Sequence, residues 1–567
     1  MMMPNHLRMN SYSSLSQIRD NFNENGTPHL YDIPHFKSRL DEFATISQDE
    51  LVKLVLQYPN KSCELDPAPT GLVKSSIDAL APSLTKLVNI SLSTSTVPKC
   101  FKEAVITPLI KKTDGGCIMK NYRPVSGLPF ISKIIEKTVS KQLKLYKLDN
   151  NLGEPLQSAY KKNHSTETAL IKVYDDILSK MDKRNVVLLT LLDLSAAFDT
   201  VDHGILLYRL EHTFGIKNKA LGWIKSYLTD RSQYVSVKGM KSESVKLKCC
   251  VPQGSILGPE FYCDYTTPLG VLLRILLILF KLYADDTQLQ KSLNPNNKDV
   301  QFKAIKDLEA DINVISNWMF DNKLKLNGDK TEFLTIASSQ QHKKLVVDRL
   351  NLGGDEIMNV KSVRNLGVIT DNQMDMKDHV SHISKVCFFQ IRNIRKIRCY
   401  LSTEATKKLV QTLVISRLDY CNSLLYGINE GLLNKLQRVQ NAAARLISKT
   451  SKYDHITPVL LNLHWLKIRQ RIKYKLLTIT FKVMLEGEPK YLSDMLSWKK
   501  ASRTLRSNEE KQLQEQKWNN KTHGFRSFSV SAPMLWNELP PNLKNCTSLS
   551  AFKKVLKTHL FKECYNL

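Results

Sequence analysis

Two stretches decide how this chain is read: Val186-Val-Leu-Leu-Thr-Leu-Leu-Asp193 and Phe280-Lys-Leu-Tyr-Ala-Asp-Asp286. Each is a short, mainly apolar run that ends on a carboxylate. Runs of this length read as buried strands, and a charge at the end of one costs burial energy unless something compensates it. Asp193 closes the first strand, and Asp285 and Asp286 fall together at a strand end or hairpin turn after the second. Carboxylates converging from two strands repel one another and raise one another's pKa unless a cation lies among them, so they form a natural site for a hard divalent ion. Mg²⁺ is the oxygen-preferring candidate, with Mn²⁺ as its substitute. Two such ions about 3.5–4 Å apart can activate an attacking hydroxyl and stabilise a leaving oxygen in phosphoryl transfer. An Asp-Asp pair alone is not diagnostic. Asp175-Asp176 lies in a helical pattern with no strand before it and reads as part of a solvated helix face.

Outward from these runs, the chain from Phe101 to about Thr370 alternates short apolar runs (Ala104 to Ile110, Tyr234 to Val237, Glu332 to Ile336) with helical patterns, an α+β mixture. Before it, residues 1–95 form a polar opening and a helical segment. Beyond about residue 375 the text is helical with interleaved cations: Lys385, Arg392, Arg395, Lys396 and Arg398, then Lys435, Arg438 and Arg445, then Lys467, Arg469, Arg471, Lys473 and Lys475. Any one cluster reads as a solvated helix face, but their concentration points to phosphate contact. Residues 498–523 are polar and charged and read as a linker.

The whole composition agrees. The 567 residues carry 82 Lys and Arg against 54 Asp and Glu, a net +28, which repels itself unless something anionic neutralises it. Hydrophobic residues at 42% and charged residues at 24% exclude a largely disordered or membrane-embedded chain. The 11 cysteines are odd in number and hold no C-x-x-C pair, against a disulfide scaffold or a cysteine zinc site and in favour of a reducing, intracellular setting. The start of the chain has no apolar core of a secretory signal. Val271 to Phe280, interrupted by Arg274, is too short to span a bilayer and reads as a buried strand or core helix. His164 with Glu167, and His379 with His382 and Asp375, have ligand-type spacing but no zinc signature, so hydrogen-bonded or exposed side chains are expected there.

Seven ordered motifs then resemble the reverse transcriptase of non-LTR (LINE-type, jockey-like) retrotransposons: Asn121-Tyr-Arg-Pro124, Gln157 to Glu167, Leu191 to His203, Val251-Pro-Gln-Gly-Ser-Ile-Leu-Gly-Pro259, Tyr283-Ala-Asp-Asp286, Leu326 to Glu332 and Asn365-Leu-Gly-Val368. The resemblance implies a right-hand polymerase, with fingers and an antiparallel palm over 96–370, a helical thumb and basic region over 371–497, and a linker and tail over 498–567. It implies RNA-templated addition of dNTPs to a DNA primer 3′-hydroxyl. Asp193, Asp285 and Asp286 would hold the metal, and Lys330 would meet the leaving pyrophosphate. Phe198 would exclude a 2′-hydroxyl, which argues against an RNA polymerase. Gln253 and Gly254 would border the nucleotide, Lys111, Arg123 and Lys161 would face the triphosphate, and Arg392, Arg395, Lys396 and Arg398 would face the duplex.

Three departures from the family pattern stand out: Cys250 where glycine is usual, Glu260 where an apolar residue is usual, and the apolar run before Tyr283. They suggest the alternative of a non-catalytic remnant that only binds nucleic acid. No endonuclease constellation precedes residue 100, so a separate endonuclease is the expected partner, and the nucleus the expected place of action.

Overall fold

The computed structural model describes residues 38–110, 121–346, 348–499 and 511–567, so Lys111 lies outside the described residues. The strands that matter below are β1 (Glu103–Ile110), β2 (Tyr122–Gly127), β3 (Val186–Leu192), β4 (Ser232–Val237), β5 (Leu279–Tyr283), β6 (Asp286–Leu293) and β7 (Glu332–Ile336). The helices are α1 (Gln48–Gln57), α2 (Ile77–Ser93), α3 (Phe130–Asp149), α4 (Thr166–Asp182), α5 (Gly258–Ile275), α6 (Lys377–Ile397), α7 (Glu430–Ser448), α8 (Ile468–Glu486), α9 (Phe528–Asn537) and α10 (Leu549–Tyr565). The α+β expectation holds.

The central sheet is antiparallel throughout, in the order β7, β3, β6, β5. Its innermost strand explains why its sequence is apolar without alternation. Val187 and Leu189 point into one core with α4, and Val186, Leu188 and Leu192 into a second with α3 and α5. A strand covered on both faces has no polar side. The second core also takes in Leu51 and Val55 of α1 and Ala81 and Val88 of α2, so the N-terminal helices pack with the sheet domain. A smaller sheet sets β1 antiparallel to β2 and parallel to β4.

After Asp371 the named elements are all helical, and α7 to α10 complete the first core. Here the structure departs from the expected linker and tail. The residues after 523 are folded: Trp536, Phe552, Leu556 and Leu560 are buried, and the Phe552 ring stacks on Phe481 of α8 at 4.1 Å. Asp175 and Asp176 are not on a solvated face either. Asp175 is buried and accepts the Ser529 N–H at 2.8 Å, and Asp176 pairs with Lys172 at 2.6 Å. The physical reason is that α4 is wedged between the sheet and the C-terminal helices.

Glu260, the acidic departure, is buried in α5 and compensated. Lys147 Nζ lies 2.6 Å from it and 3.0 Å from Asp264, and Ser140 Oγ donates to it at 2.9 Å. Burial alone would lower the Lys147 pKa, but Asp264 and Glu260 outweigh it and hold the ammonium above its ordinary value. The run Val271 to Phe280 is divided rather than uniform: α5 ends at Ile275, Leu277 is 91% exposed in the connecting turn, and β5 follows. Among the described residues no helix is long and apolar enough to cross a membrane.

Candidate active site

Antiparallel register brings the carboxylates together. In the β3–β6 pairing Leu192 stands opposite Thr287, so Asp193 follows one strand where Asp286 opens the other, and the charge of Asp193 acts on Asp286. Tyr283 pairs with Asp286 across the β5–β6 hairpin, leaving Ala284 and Asp285 as its two-residue loop, with Ala284 at φ +55°. Residues 93 positions apart in the chain thus come together at the ends of the two inner strands of the sheet.

The cluster is electrostatically tense. Desolvation raises the Asp285 pKa, and the charge of Asp193 raises it further, while Arg123 and Lys330 pull it down. Desolvation, then Asp285 and then Asp193, push Asp286 up to about 6, with Lys330 opposing. Lys330 Nζ lies 2.9 Å from Asp193 Oδ2, held there by a short 3₁₀ turn over Gly328–Lys330, and the Asn327 N–H donates to the Asp193 carbonyl at 2.9 Å. Among the described residues no group of three or more His, Cys, Asp or Glu side chains is drawn into a metal-holding arrangement. Three mutually repelling carboxylates nevertheless make an oxygen-only donor set of the kind that suits a hard divalent cation.

Two further motifs are fixed by contacts of their own. Phe198 lies flat on Tyr262 of α5, with ring centroids 4.7 Å apart and planes 25° apart, so its ring is backed and directed. Gln253 Nε2 donates to both oxygens of Asp199 at 3.2 and 3.1 Å, and the Gln253 carbonyl accepts the Ser126 N–H of β2 at 2.9 Å. Gly254 has φ +145°, and a Cβ there would collide with the Ser126 carbonyl oxygen, so glycine permits the close approach of this loop to β2. Cys250, where glycine is usual, sits at φ +91°, a conformation that L residues rarely adopt.

The cations divide. Arg123 is exposed on β2 and near enough for its charge to act on Asp285. Lys161 is otherwise engaged: its ammonium donates to the Glu154 carbonyl at 2.5 Å, and burial lowers its pKa. Arg392, Arg395 and Lys396 are exposed on α6. Arg398 is the correction among the four cations expected to face a duplex. It is buried, and its guanidinium donates to the carbonyls of Leu446, Ile447 and Leu401 at 2.9, 3.0 and 2.8 Å, closing the end of α7. The cations of α8 are also largely consumed. Arg469 pairs with Glu430, Arg471 with Asp419, Lys473 with Glu563 at 3.1 Å and Lys475 with Glu167 at 3.4 Å. Their near-alternate spacing on a helix spreads them around its circumference, toward neighbouring acids.

The histidines with ligand-type spacing meet protein partners. His164 Nδ1 meets the Lys162 carbonyl at 2.7 Å, Glu167 accepts from Ser423, and His379 accepts the Ile369 N–H. One residue that carried no assigned role in the sequence emerges at the cluster. Gln157, buried beside β5, bonds the loop residue Ala284 through its side chain. No spacing rule points to it, because its partner lies 127 residues away.

With this geometry in view, residues 110–370 match the family model described as reverse transcriptase (RNA-dependent DNA polymerase). The chain is 24% identical over 420 residues to "RNA-directed DNA polymerase from mobile element jockey" of Drosophila melanogaster, covering 72% of this chain and 44% of that one. It is 25% identical over 437 residues to "Probable RNA-directed DNA polymerase from transposon BS" of the same fly, covering 74% and 46%. The chain thus spans less than half the length of these curated relatives. Among solved structures, it resembles apo telomerase from Candida tropicalis with a TM-score of 0.36 at 14% identity, covering 73% of each chain.

Proposed function

We propose, from a chain whose residues 110–370 are a reverse transcriptase domain of the non-LTR, LINE type on a right-hand α+β polymerase fold, that the protein copies an RNA template into DNA. The reaction is attack of a primer 3′-hydroxyl on the α-phosphorus of a dNTP, with loss of pyrophosphate. The observation that carries this reading is the antiparallel register ending at Leu192 opposite Thr287, which brings the charge of Asp193 to bear on Asp285 and Asp286, with Lys330 bonded to the first of them.

Asp193, Asp285 and Asp286 would hold Mg²⁺, or Mn²⁺ in its place. The ion would supply a lowered pKa at the attacking hydroxyl and positive charge against the leaving oxygens. Lys330 stands where an ammonium can meet charge or deliver a proton as pyrophosphate departs. Phe198, backed by Tyr262, closes the space a 2′-hydroxyl would need, which favours dNTP over NTP. Gln253 and Gly254 border the nucleotide, with Gln253 oriented by Asp199. Arg123, with Lys111 and Lys161, supplies triphosphate charge in this reading, and the geometry favours Arg123 over Lys161. Arg392, Arg395 and Lys396 face the phosphates of the template–primer duplex. A separate endonuclease would supply the primer end, and the site of action would be the nucleus.

The test is extension of oligo(dT) on poly(rA) with Mg²⁺. Extension by wild type that disappears in Asp285→Asn supports the reading. Duplex binding by both without extension by either overturns it in favour of a remnant that only binds nucleic acid.

A further inference from the structure

The turn that carries Asp285 is held from outside its own hairpin. Ala284 precedes Asp285 at φ +55°, a left-handed conformation that non-glycine residues keep only when their surroundings impose it. Gln157, 2% exposed, supplies the constraint. Its Oε1 accepts the Ala284 N–H at 2.9 Å, and its Nε2 donates to the Ala284 carbonyl at 3.2 Å. One side-chain amide therefore closes on both polar groups of a single residue, as a paired strand would. The orientation of the amide is fixed by its partners: Oε1 also accepts the Ala159 N–H at 2.9 Å, so two donors face one end and a carbonyl faces the other.

The support around Gln157 is equally closed. The Leu282 N–H donates to the Leu156 carbonyl at 3.2 Å and the Ser158 N–H to the Leu282 carbonyl at 3.0 Å, which adds a parallel bridge to the edge of β5. Ser158 Oγ is 2.8 Å from Tyr491 Oη, which also donates to Thr168 at 3.2 Å, and Lys281 Nζ stands 3.1 Å above the Tyr491 ring. Gln157 is thus braced from the C-terminal helical region while its amide grips the loop.

We propose that Gln157 is a positioning residue for nucleotide addition: by holding Ala284 left-handed it sets the direction of the Asp285 carboxylate beside Asp193 and Asp286. This rests on the polymerase reading above. A small misplacement of a catalytic group lowers turnover steeply while leaving binding intact.

Single-nucleotide addition by the full chain on an RNA–DNA primer–template tests it. Gln157→Leu removes both bonds at nearly constant volume and is expected to lower kcat by 10- to 100-fold, with KM for dNTP and Kd for the duplex within about threefold of wild type. Gln157→Glu keeps the acceptor and loses the donor, and is expected to fall between. Adding Ala284→Gly to Gln157→Leu is expected to recover at least fivefold of kcat, because glycine adopts a positive φ unaided. A wild-type kcat in Gln157→Leu overturns the proposal. So does a parallel loss of duplex affinity, melting temperature and kcat that glycine does not recover. Absence of extension by wild type sinks the polymerase reading instead, and Mn²⁺ binding followed by EPR then decides. Binding at least fivefold weaker in Gln157→Leu and restored by Ala284→Gly supports positioning, whereas equal binding overturns it.

Discussion

Lys330 Nζ and Asp193 Oδ2 are paired at 2.9 Å, so an ammonium faces a cluster in which Asp286 is pushed up to about 6. A protonated carboxyl is a poor ligand for a hard cation. Mn²⁺ binding, measured by EPR, is therefore expected to fall as pH drops through about 6. Lys330→Met removes the charge that holds Asp286 down and should move that midpoint to higher pH. An unshifted midpoint would contradict the coupling.

The same raised pKa carries a stability consequence. A carboxyl whose folded pKa lies above its unfolded value of about 3.9 destabilises the fold at neutral pH, and this cost declines as pH falls below the folded value and is gone below the unfolded one. Asp286→Asn is expected to abolish extension yet raise the melting temperature by ~1–3 °C at pH 7.5 without divalent ions. The gain should shrink below about pH 6, where the wild-type carboxyl is itself protonated.

Phe198 is directed by its stack on Tyr262. Phe198→Ala is expected to lower discrimination between dNTP and NTP by about 10- to 100-fold, some 1.4–2.8 kcal/mol. Tyr262→Leu should move selectivity in the same direction by less, because the ring remains but loses its backing. Steady-state kcat/KM for paired nucleotides reads both.

The arginines of α6 and its end separate by role. Arg398→Ala leaves three backbone carbonyls without their donor and is expected to cost about 2–4 kcal/mol in urea unfolding with no change in the salt slope of duplex binding. Arg392→Ala and Lys396→Ala should leave stability within about 0.5 kcal/mol and each reduce that slope by about 1.

Cys250 holds φ +91°, where a β-branched side chain is strongly disfavoured. Cys250→Gly is expected to stay within about 1 kcal/mol of wild type, since relief of backbone strain offsets the lost side chain. Cys250→Val should lose about 2–3 kcal/mol. Thermal unfolding distinguishes the pair.

Part of the sheet was legible because β3 is apolar on both faces, a pattern that survives without knowledge of what covers it, whereas the polar β6 carried no such signal. β3 and β7 fall on the runs Val186 to Leu192 and Glu332 to Ile336. The three carboxylates were legible because each breaks that pattern. Roles that depend on partners far along the chain were not. Arg398 and the exposed Lys396 look alike as letters, and only the arrival of the α7 carbonyls distinguishes them. Asp175 reads as solvated until α9 covers it, and Lys161 reads as phosphate-facing until the Glu154 carbonyl claims it. Gln157 resembles any other glutamine until the hairpin closes on it.

The bond from Ser529 to Asp175 also imposes a timetable. The two residues are 354 positions apart, and a ribosome adding about 5–20 residues per second needs roughly 20–70 s to make that interval. Throughout it, the helix beneath the central sheet must wait with an acidic side chain and an apolar flank uncovered. The half of this protein that carries Asp193 is thus made before the helices that cover it, and a nascent chain depends on whatever shields that flank until those helices arrive.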